Sequence, residues 1–285
     1  MRITLYPNFL KPKALPTALK VCALLNELGI EVCADAKYKS ELAQKEFVQF
    51  GEISALSEAC DVIIAIGGDG TILKASAHAS QNAKPLLGIN TGHLGFMASM
   101  EIDEISDLSK LKSGEYSIEN RMMLDALHVK ADGEKETYTA LNDVSVMRIV
   151  PKITSFEVST EGYAVSSMRS DGVVFATPTG STAYALSAGG PILEPRTECI
   201  QLTPICPHSL FSRTMLFAAD RTLELRHFSA SDAVYFSVDG KPGVNISKES
   251  KLIISKSEKE LRLIDIKGNC FFNAVNNKLM KPIKA

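Results

Sequence analysis

The stretch "DVIIAIGGDGTILKA", residues 61–75, decides how this chain is read. Five successive apolar residues, Val62 to Ile66, run straight into Gly67-Gly68-Asp69-Gly70-Thr71, and a helical pattern follows. An unbroken apolar run reads as a strand buried on both faces of a parallel sheet. Three glycines in four positions at its carboxyl end let a ligand approach the main chain closely, and ligands of open α/β sheets bind at such ends. The nest suits phosphates or a dinucleotide. Asp69 within it would repel a phosphate, but it suits a hydroxyl whose proton it accepts, or a metal ion bridging phosphates. A plain turn, with Asp69 bonding local amides, is the simpler alternative. Gly67, Gly68, Gly70 and Thr71 are read as the phosphate or donor loop. Lys74, one helical turn beyond Thr71, is placed either to reach a phosphate or to sit solvated on the surface. No GxxxxGK[ST] occurs, and no GxGxxG at this position.

Outward from this loop the first hundred residues alternate strand and helix. RITLY (2–6), IEVCA, DVIIAIG and KPLLGIN (84–90) read as strands. Leu15, Leu19, Cys22, Leu25 and Leu28 recur at helical steps up to Gly29, a helix stop. Further helices are expected over roughly 38–48 and 72–80. This alternation predicts a Rossmann-like α/β domain over residues 1–100. EIDEISDLSKLKSGE reads as a surface helix and connector, and from 116 to about 265 the chain is strand-like, with a hairpin turn at Asp132-Gly133 and one helix near 181–188. The expected whole is an α/β domain followed by a mostly-β, β-sandwich-like domain over 101–265. Residues 266–285 are free to pack back on either.

Three more segments concentrate polar residues. GINTGHLGFMAS (88–99) follows a buried strand, and its Phe96 either covers a planar ring or belongs to the core. Asn142-Asp143, in LNDVSV, lies between strand-like runs with no glycine or proline to make a turn, so it marks either a ligand contact or a bulge. RSDGVVFATPTGSTAYALSAGGPILEP (169–195) holds a strand, then a turn at Pro178-Thr179-Gly180 and a short helix with Ser181 as N-cap, ended by Gly189-Gly190. Its hydroxyls surround a helix N-terminus.

Bulk properties exclude several classes. With 285 residues and a formal net charge of −2, the chain has no broad electrostatic attraction to nucleic acid or anionic membrane. It has no apolar run of bilayer-spanning length and no signal core, and its six cysteines are scattered without a CxxC pair. Buried thiols in a reducing cytoplasm are expected. Without HxxxH or HExxH spacing no dedicated metal site is expected.

GGDGT, NTGHLGF, LND, DGVVFATPTGSTAYALSAGGPI, TPICPHSL (203–210) and SVDG (237–240), in this order, resemble the NAD kinase family from about residue 61 to 240. The resemblance implies transfer of the γ-phosphoryl group of ATP, or of polyphosphate, to the 2′-hydroxyl of the adenosine ribose of NAD, giving NADP. It casts Asp69 as general base, with a divalent ion, Mg²⁺, arriving with ATP. By the same resemblance Asn142 and Asp143 hold the nicotinamide-side ribose, and Asp171 contacts the nicotinamide end. Thr182, Ala183, Tyr184, Ala185, Leu186 and Ser187 line the dinucleotide site, with Gly70, Lys74, Phe96, Lys152, Arg169 and Lys241 as further contacts. Asp143 stands where many members have glutamate, and Lys241 where glutamine is common in bacterial members. A homo-oligomer, dimer or tetramer, is implied too. Two rivals are a lipid kinase sharing GGDGT, which lacks a basic amphipathic helix here, and a non-catalytic NADP sensor, which would not need Asp69.

Overall fold

The computed structural model describes residues 1–92, 95–149, 153–209, 212–228, 234–268 and 270–278. The chain forms two compact units, Met1–Asn120 with Lys259–Ala285, and Arg121–Glu258. The division falls at 120/121, later than the change of pattern near residue 100. Ile105, Leu108 and Leu111, on the connector, are buried in the core of the first unit.

In the first unit, strands β1 (Arg2–Pro7), β2 (Glu31–Asp35), β3 (Gln49–Gly51), β4 (Val62–Gly67), β5 (Pro85–Asn90) and β6 (Met100–Glu101) alternate with helices α1 (Ala14–Glu27), α2 (Ile53–Ala59), α3 (Asp69–Gln81) and α4 (Ser109–Ser113). The sheet is parallel in the order β3-β2-β1-β4-β5. Strand order reverses between β1 and β4, so the carboxyl ends of these two strands form the switch point where such sheets bind ligands. All six residues of β4 are buried, as its apolar run predicts. Cys22 and Leu25 of α1 lie in the core, while Leu15, Leu19 and Leu28 pack partly buried at its margin. The helix ends at Gly29, whose φ of +69° needs no Cβ. Residues 38–48 are not a helix. A 3₁₀ turn at Ala36–Tyr38 leads through further turns into β3, and the helix between β2 and β4 is α2, which begins only at Ile53. The helix expected over 72–80 begins at Asp69, inside the glycine loop.

The second unit takes the greater part of β7 (Ser117–Val129), which pairs with β8 (Lys135–Ala140) around Gly133 at φ +89°. It continues through β9 (Asp143–Arg148), β10 (Thr154–Thr160), β11 (Tyr163–Ser170), β12 (Gly172–Ala176), the short helix α5 (Tyr184–Ser187), β13 (Cys199–Ile205), β14 (Met215–Ala218), β15 (Leu223–His227), β16 (Val234–Val238) and β17 (Val244–Ile246). The strand β18 (Lys251–Asp265) begins in this unit and ends in the first, where helix α6 (Cys270–Lys278) follows. One antiparallel sheet runs β14-β13-β12-β9-β16-β17. A second contains β11-β10-β15 and the start of β18. Val144, Val146, Val173, Phe175 and Phe236 of the first meet Phe156, Val158, Leu225 and Ile254 of the second in one core, a β-sandwich. Strand β12 is buried on both faces. Val173 and Phe175 enter the sandwich, while Val174 and Ala176 pack with Ala185 of α5 on the other side. That second contact seats the short helix.

Candidate functional site

The first constellation belongs to the α/β unit. Asp69 opens α3, where its charge complements the positive end of the helix. Its carboxylate accepts the amide of Phe96 at Oδ2 (2.9 Å) and that of Met97 at Oδ1 (3.3 Å). It therefore ties the glycine loop to the segment after β5. Gly95 is required there, because a Cβ at that position would collide with the Asp69 carboxylate. Gly67 is required for a similar reason, since a Cβ would run into the Thr71 side chain. Phe96 is half-buried. Its amide, rather than its ring, makes the contact that matters to Asp69.

Beside this loop lies a cleft of about 600 Å³ at the switch point. Tyr6, Asn8, Lys37, Tyr38, Thr71 and Lys74 line it. Asn8, just past β1, donates from Nδ2 to Thr71 Oγ1 at 3.3 Å, joining the carboxyl ends of β1 and β4. The Lys37 ammonium is 3.0 Å from Asp35 and 4.8 Å from the centre of the Tyr38 ring. Tyr38 meets Phe9 edge-on at 5.0 Å. The cleft thus offers aromatic surface at one wall and two ammonium groups, one of them the exposed Lys74. Tyr6, Asn8, Lys37 and Tyr38 were missed by motif reading; the sheet order alone brings them to Thr71.

The second constellation belongs to the β-rich unit and centres on the turn between β8 and β9. No glycine or proline makes this turn because distant groups hold it. Asp239 accepts the amides of Leu141, Asn142 and Asp143, at 2.9, 2.8 and 3.2 Å. From the other side Thr177 donates its amide to the Asn142 carbonyl at 2.9 Å and its hydroxyl to the Leu141 carbonyl at 2.6 Å. Gly180 packs so close that a Cβ would overlap the Asn142 carbonyl. Asp143 is buried, and burial together with the nearby Asp239 charge pushes its carboxyl up to about 7. Burial also raises Asp239, against its three amide donors and Lys241.

Ser181 does not cap a helix. Its hydroxyl donates to the Pro178 carbonyl at 2.7 Å and accepts the Leu193 amide at 2.9 Å, pinning the glycine-rich return instead. Gly189, at φ +91°, ends α5 as expected. Thr182, Ala183 and Leu186 are half-buried, Ala185 is buried, and Tyr184 and Ser187 are exposed. The Tyr184 hydroxyl reaches Met147 Sδ at 3.6 Å. Asp171 sits before β12 in an ion pair with Arg148, Nε to Oδ1 at 2.9 Å, which sequence motifs did not reveal. Arg169 and Lys241 are exposed, and Lys152 lies outside the described residues. Among the described residues no group of three or more His, Cys, Asp or Glu side chains is placed to hold a metal ion. No helix among them is long and apolar enough to cross a membrane. Cys22, Cys33, Cys60 and Cys199 are buried free thiols, whereas the Cys206 thiol is exposed.

Residues 3–116 match the family model of the ATP-NAD kinase N-terminal domain, and residues 141–266 that of the ATP-NAD kinase C-terminal domain. A curated relative named NAD kinase, from Caldanaerobacter subterraneus subsp. tengcongensis, is 36% identical over 281 residues, 98% of each chain. The crystal structure of an NAD kinase from Archaeoglobus fulgidus in complex with ATP is 25% identical with a TM-score of 0.76, covering 98% of this chain and 99% of that one. Yeast NADH kinase complexed with NADH superposes with a TM-score of 0.91 at 22% identity, over 100% of this chain and 89% of that one, a likeness of fold.

Proposed function

The chain belongs to the NAD kinase family, and from that membership we infer which of its residues do which part of the work. The reaction is phosphorylation of NAD to NADP with ATP as co-substrate. We assign Asp69 as the general base, acting on the 2′-hydroxyl of the adenosine ribose. The observation that carries this assignment is the fixed carboxylate. Two amides hold it in one orientation at the head of α3. The carboxylate takes the hydroxyl proton as the ribose oxygen bonds to the γ-phosphorus and the bond from that phosphorus to the β,γ-bridging oxygen breaks. Little covalent work then falls to the protein, whose task is to position the reacting groups.

The cleft beside Thr71 suits the donor nucleotide. Its aromatic wall can take a base, and Lys37 and Lys74 supply positive charge for phosphates. Mg²⁺ brought with the donor would neutralise triphosphate charge. Polyphosphate, with no base to stack, would use the ammonium groups alone. In the β-rich unit the pinned Asn142–Asp143 turn, Asp171 and the Thr182–Ser187 segment hold the dinucleotide. Strand β14 leaves Met215 and Leu216 exposed at the edge of its sheet, which supports a homo-oligomer built through this unit.

The test is direct. Purified protein is incubated with NAD, ATP and Mg²⁺, and NADP is followed with an NADP-specific dehydrogenase, beside Asp69→Asn. Base catalysis contributes about 10²–10⁴-fold, so the variant should lose turnover by at least that order while NAD binding persists. Near-normal turnover in the variant removes the base assignment. A folded wild type that binds NAD and makes no NADP from ATP or polyphosphate would be a dinucleotide sensor.

A further inference from the structure

The SVDG segment carries a residue whose role the reaction itself does not require. We propose that Asp239 is a positioning residue for dinucleotide binding, its carboxylate setting the backbone of the Leu141–Asp143 turn so that Asn142 and Asp143 present their side chains to NAD. The proposal rests on the reading that Asn142 and Asp143 hold the dinucleotide.

The geometry is that of an anion enclosed by its own chain. Oδ2 accepts the Leu141 amide and Oδ1 accepts those of Asn142 and Asp143, while the Asp239 amide returns a bond to the Asp143 carbonyl at 2.9 Å. Three successive amides pointing inward form a nest that would otherwise attract an outside anion. Asp239 fills it from within.

The residue is held for this task. Its φ of +52° is left-handed, a conformation aspartate tolerates better than most side chains, and Gly240 follows at +68°. The turn is closed by the Lys241 amide on the Val238 carbonyl and by the Ser237 hydroxyl on the Lys241 carbonyl at 2.6 Å. With Thr177 and Gly180 on the opposite side, the backbone of Asn142 has no other place to go.

Aspartate is the chemically specific choice. Asparagine has one acceptor oxygen, so its NH₂ would face an amide donor of the turn. Glutamate would push the turn outward by one methylene. The carboxylate also adds negative charge beside Asp143, so its removal should lower the pH at which Asp143 titrates. The other charged or titratable groups bearing on this pair are Lys241, from the segment after β16, and Tyr184, from α5.

The experiment compares full-length wild type, Asn142→Ala, Asp239→Asn and the double variant by KM and kcat for NAD. Asn142→Ala is expected to raise KM for NAD about tenfold or more. Asp239→Asn should do the same with kcat held within about threefold, and the double variant should be no worse than the poorer single one. Asp239→Asn should also move the inflection near pH 7 in kcat/KM for NAD to lower pH, which a merely structural loss would not do. If Asn142→Ala leaves KM unchanged, the dinucleotide reading fails. If Asn142→Ala raises KM while Asp239→Asn does not, or the two effects multiply, the positioning role is overturned and the dinucleotide reading stands. Should Asp239→Asn not fold, amide exchange on the ligand-free wild type decides. Protection of the Leu141, Asn142 and Asp143 amides supports the proposal, and exchange at the free-chain rate overturns it.

Discussion

Asp69 and Asp143 are both aspartates at strand boundaries, yet their surroundings differ in kind. Asp69 stands half-exposed at a helix N-terminus, with two amides donating to its carboxylate. Asp143 is buried next to a second carboxylate, and its own acid is pushed up to about 7. Surroundings like those of Asp69 hold a carboxylate in one orientation, which is what the proposed proton acceptor requires. Surroundings like those of Asp143 keep a carboxyl group close to half-protonated at neutral pH, able to donate as well as accept a hydrogen bond, as a hydroxyl-rich ligand can use. One residue type stands in two settings, one tied by amides at a helix head and one buried beside a second carboxylate.

The sharpest way to break this contrast is to exchange the kind of loss. Asp69→Asn should cost turnover by about 10²–10⁴-fold or more with KM for NAD little changed. Gly95→Ala forces a Cβ into the Asp69 carboxylate and should lower kcat by up to about 10²-fold, since a misplacement near 1 Å is enough. Gly180→Ala instead displaces the Asn142 carbonyl. It should raise KM for NAD, with an overpacking cost of about 1–3 kcal/mol in unfolding experiments. Steady-state kinetics that place both losses in the same parameter would dissolve the contrast.

A smaller effect tests the charge at Asp143. A folded-state acid raised from 3.8 to about 7 holds its proton where the unfolded chain has lost it. Stability contributed by this group is therefore full below pH 3.8 and falls as pH rises toward 7. Asp143→Asn removes that loss, so its melting temperature relative to wild type should rise between pH 5 and pH 8, readable by calorimetry. The smallest change is expected from Lys74→Ala. The side chain is exposed, and KM for ATP should increase about three- to tenfold with KM for NAD unaltered.

Much of this was legible along the chain. The β4 run and the double-sided VVFA strand announce themselves because burial on two faces leaves only apolar residues, and the glycine loop stands out directly after the first of them. Asn142-Asp143 was visible as polar residues without a turn former. What holds that turn was not, since Asp239 lies 96 to 98 residues away and its effect exists only once β9 and β16 pair. Arg148 at Asp171 was hidden for a like reason. The stretch 38–48 misled because its apolar residues, among them the fully buried Leu42, pack from turns rather than from a helix. Ser181 misled because its hydroxyl found Pro178 and Leu193 instead of a helical amide.

The first unit is also the one finished last. Arg262 and Leu263, from the end of β18, pair with Pro85 and Leu86 of β5, and Ile264 and Ile266 fill the same core as Ile3 and Leu5. A ribosome that has released the glycine loop, and even the whole β-rich unit, still holds a sheet with a missing edge and a core with missing side chains. The sheet that carries Asp69 is thus complete only after about 260 residues have been made, so the activity proposed for this chain should arrive near the end of synthesis.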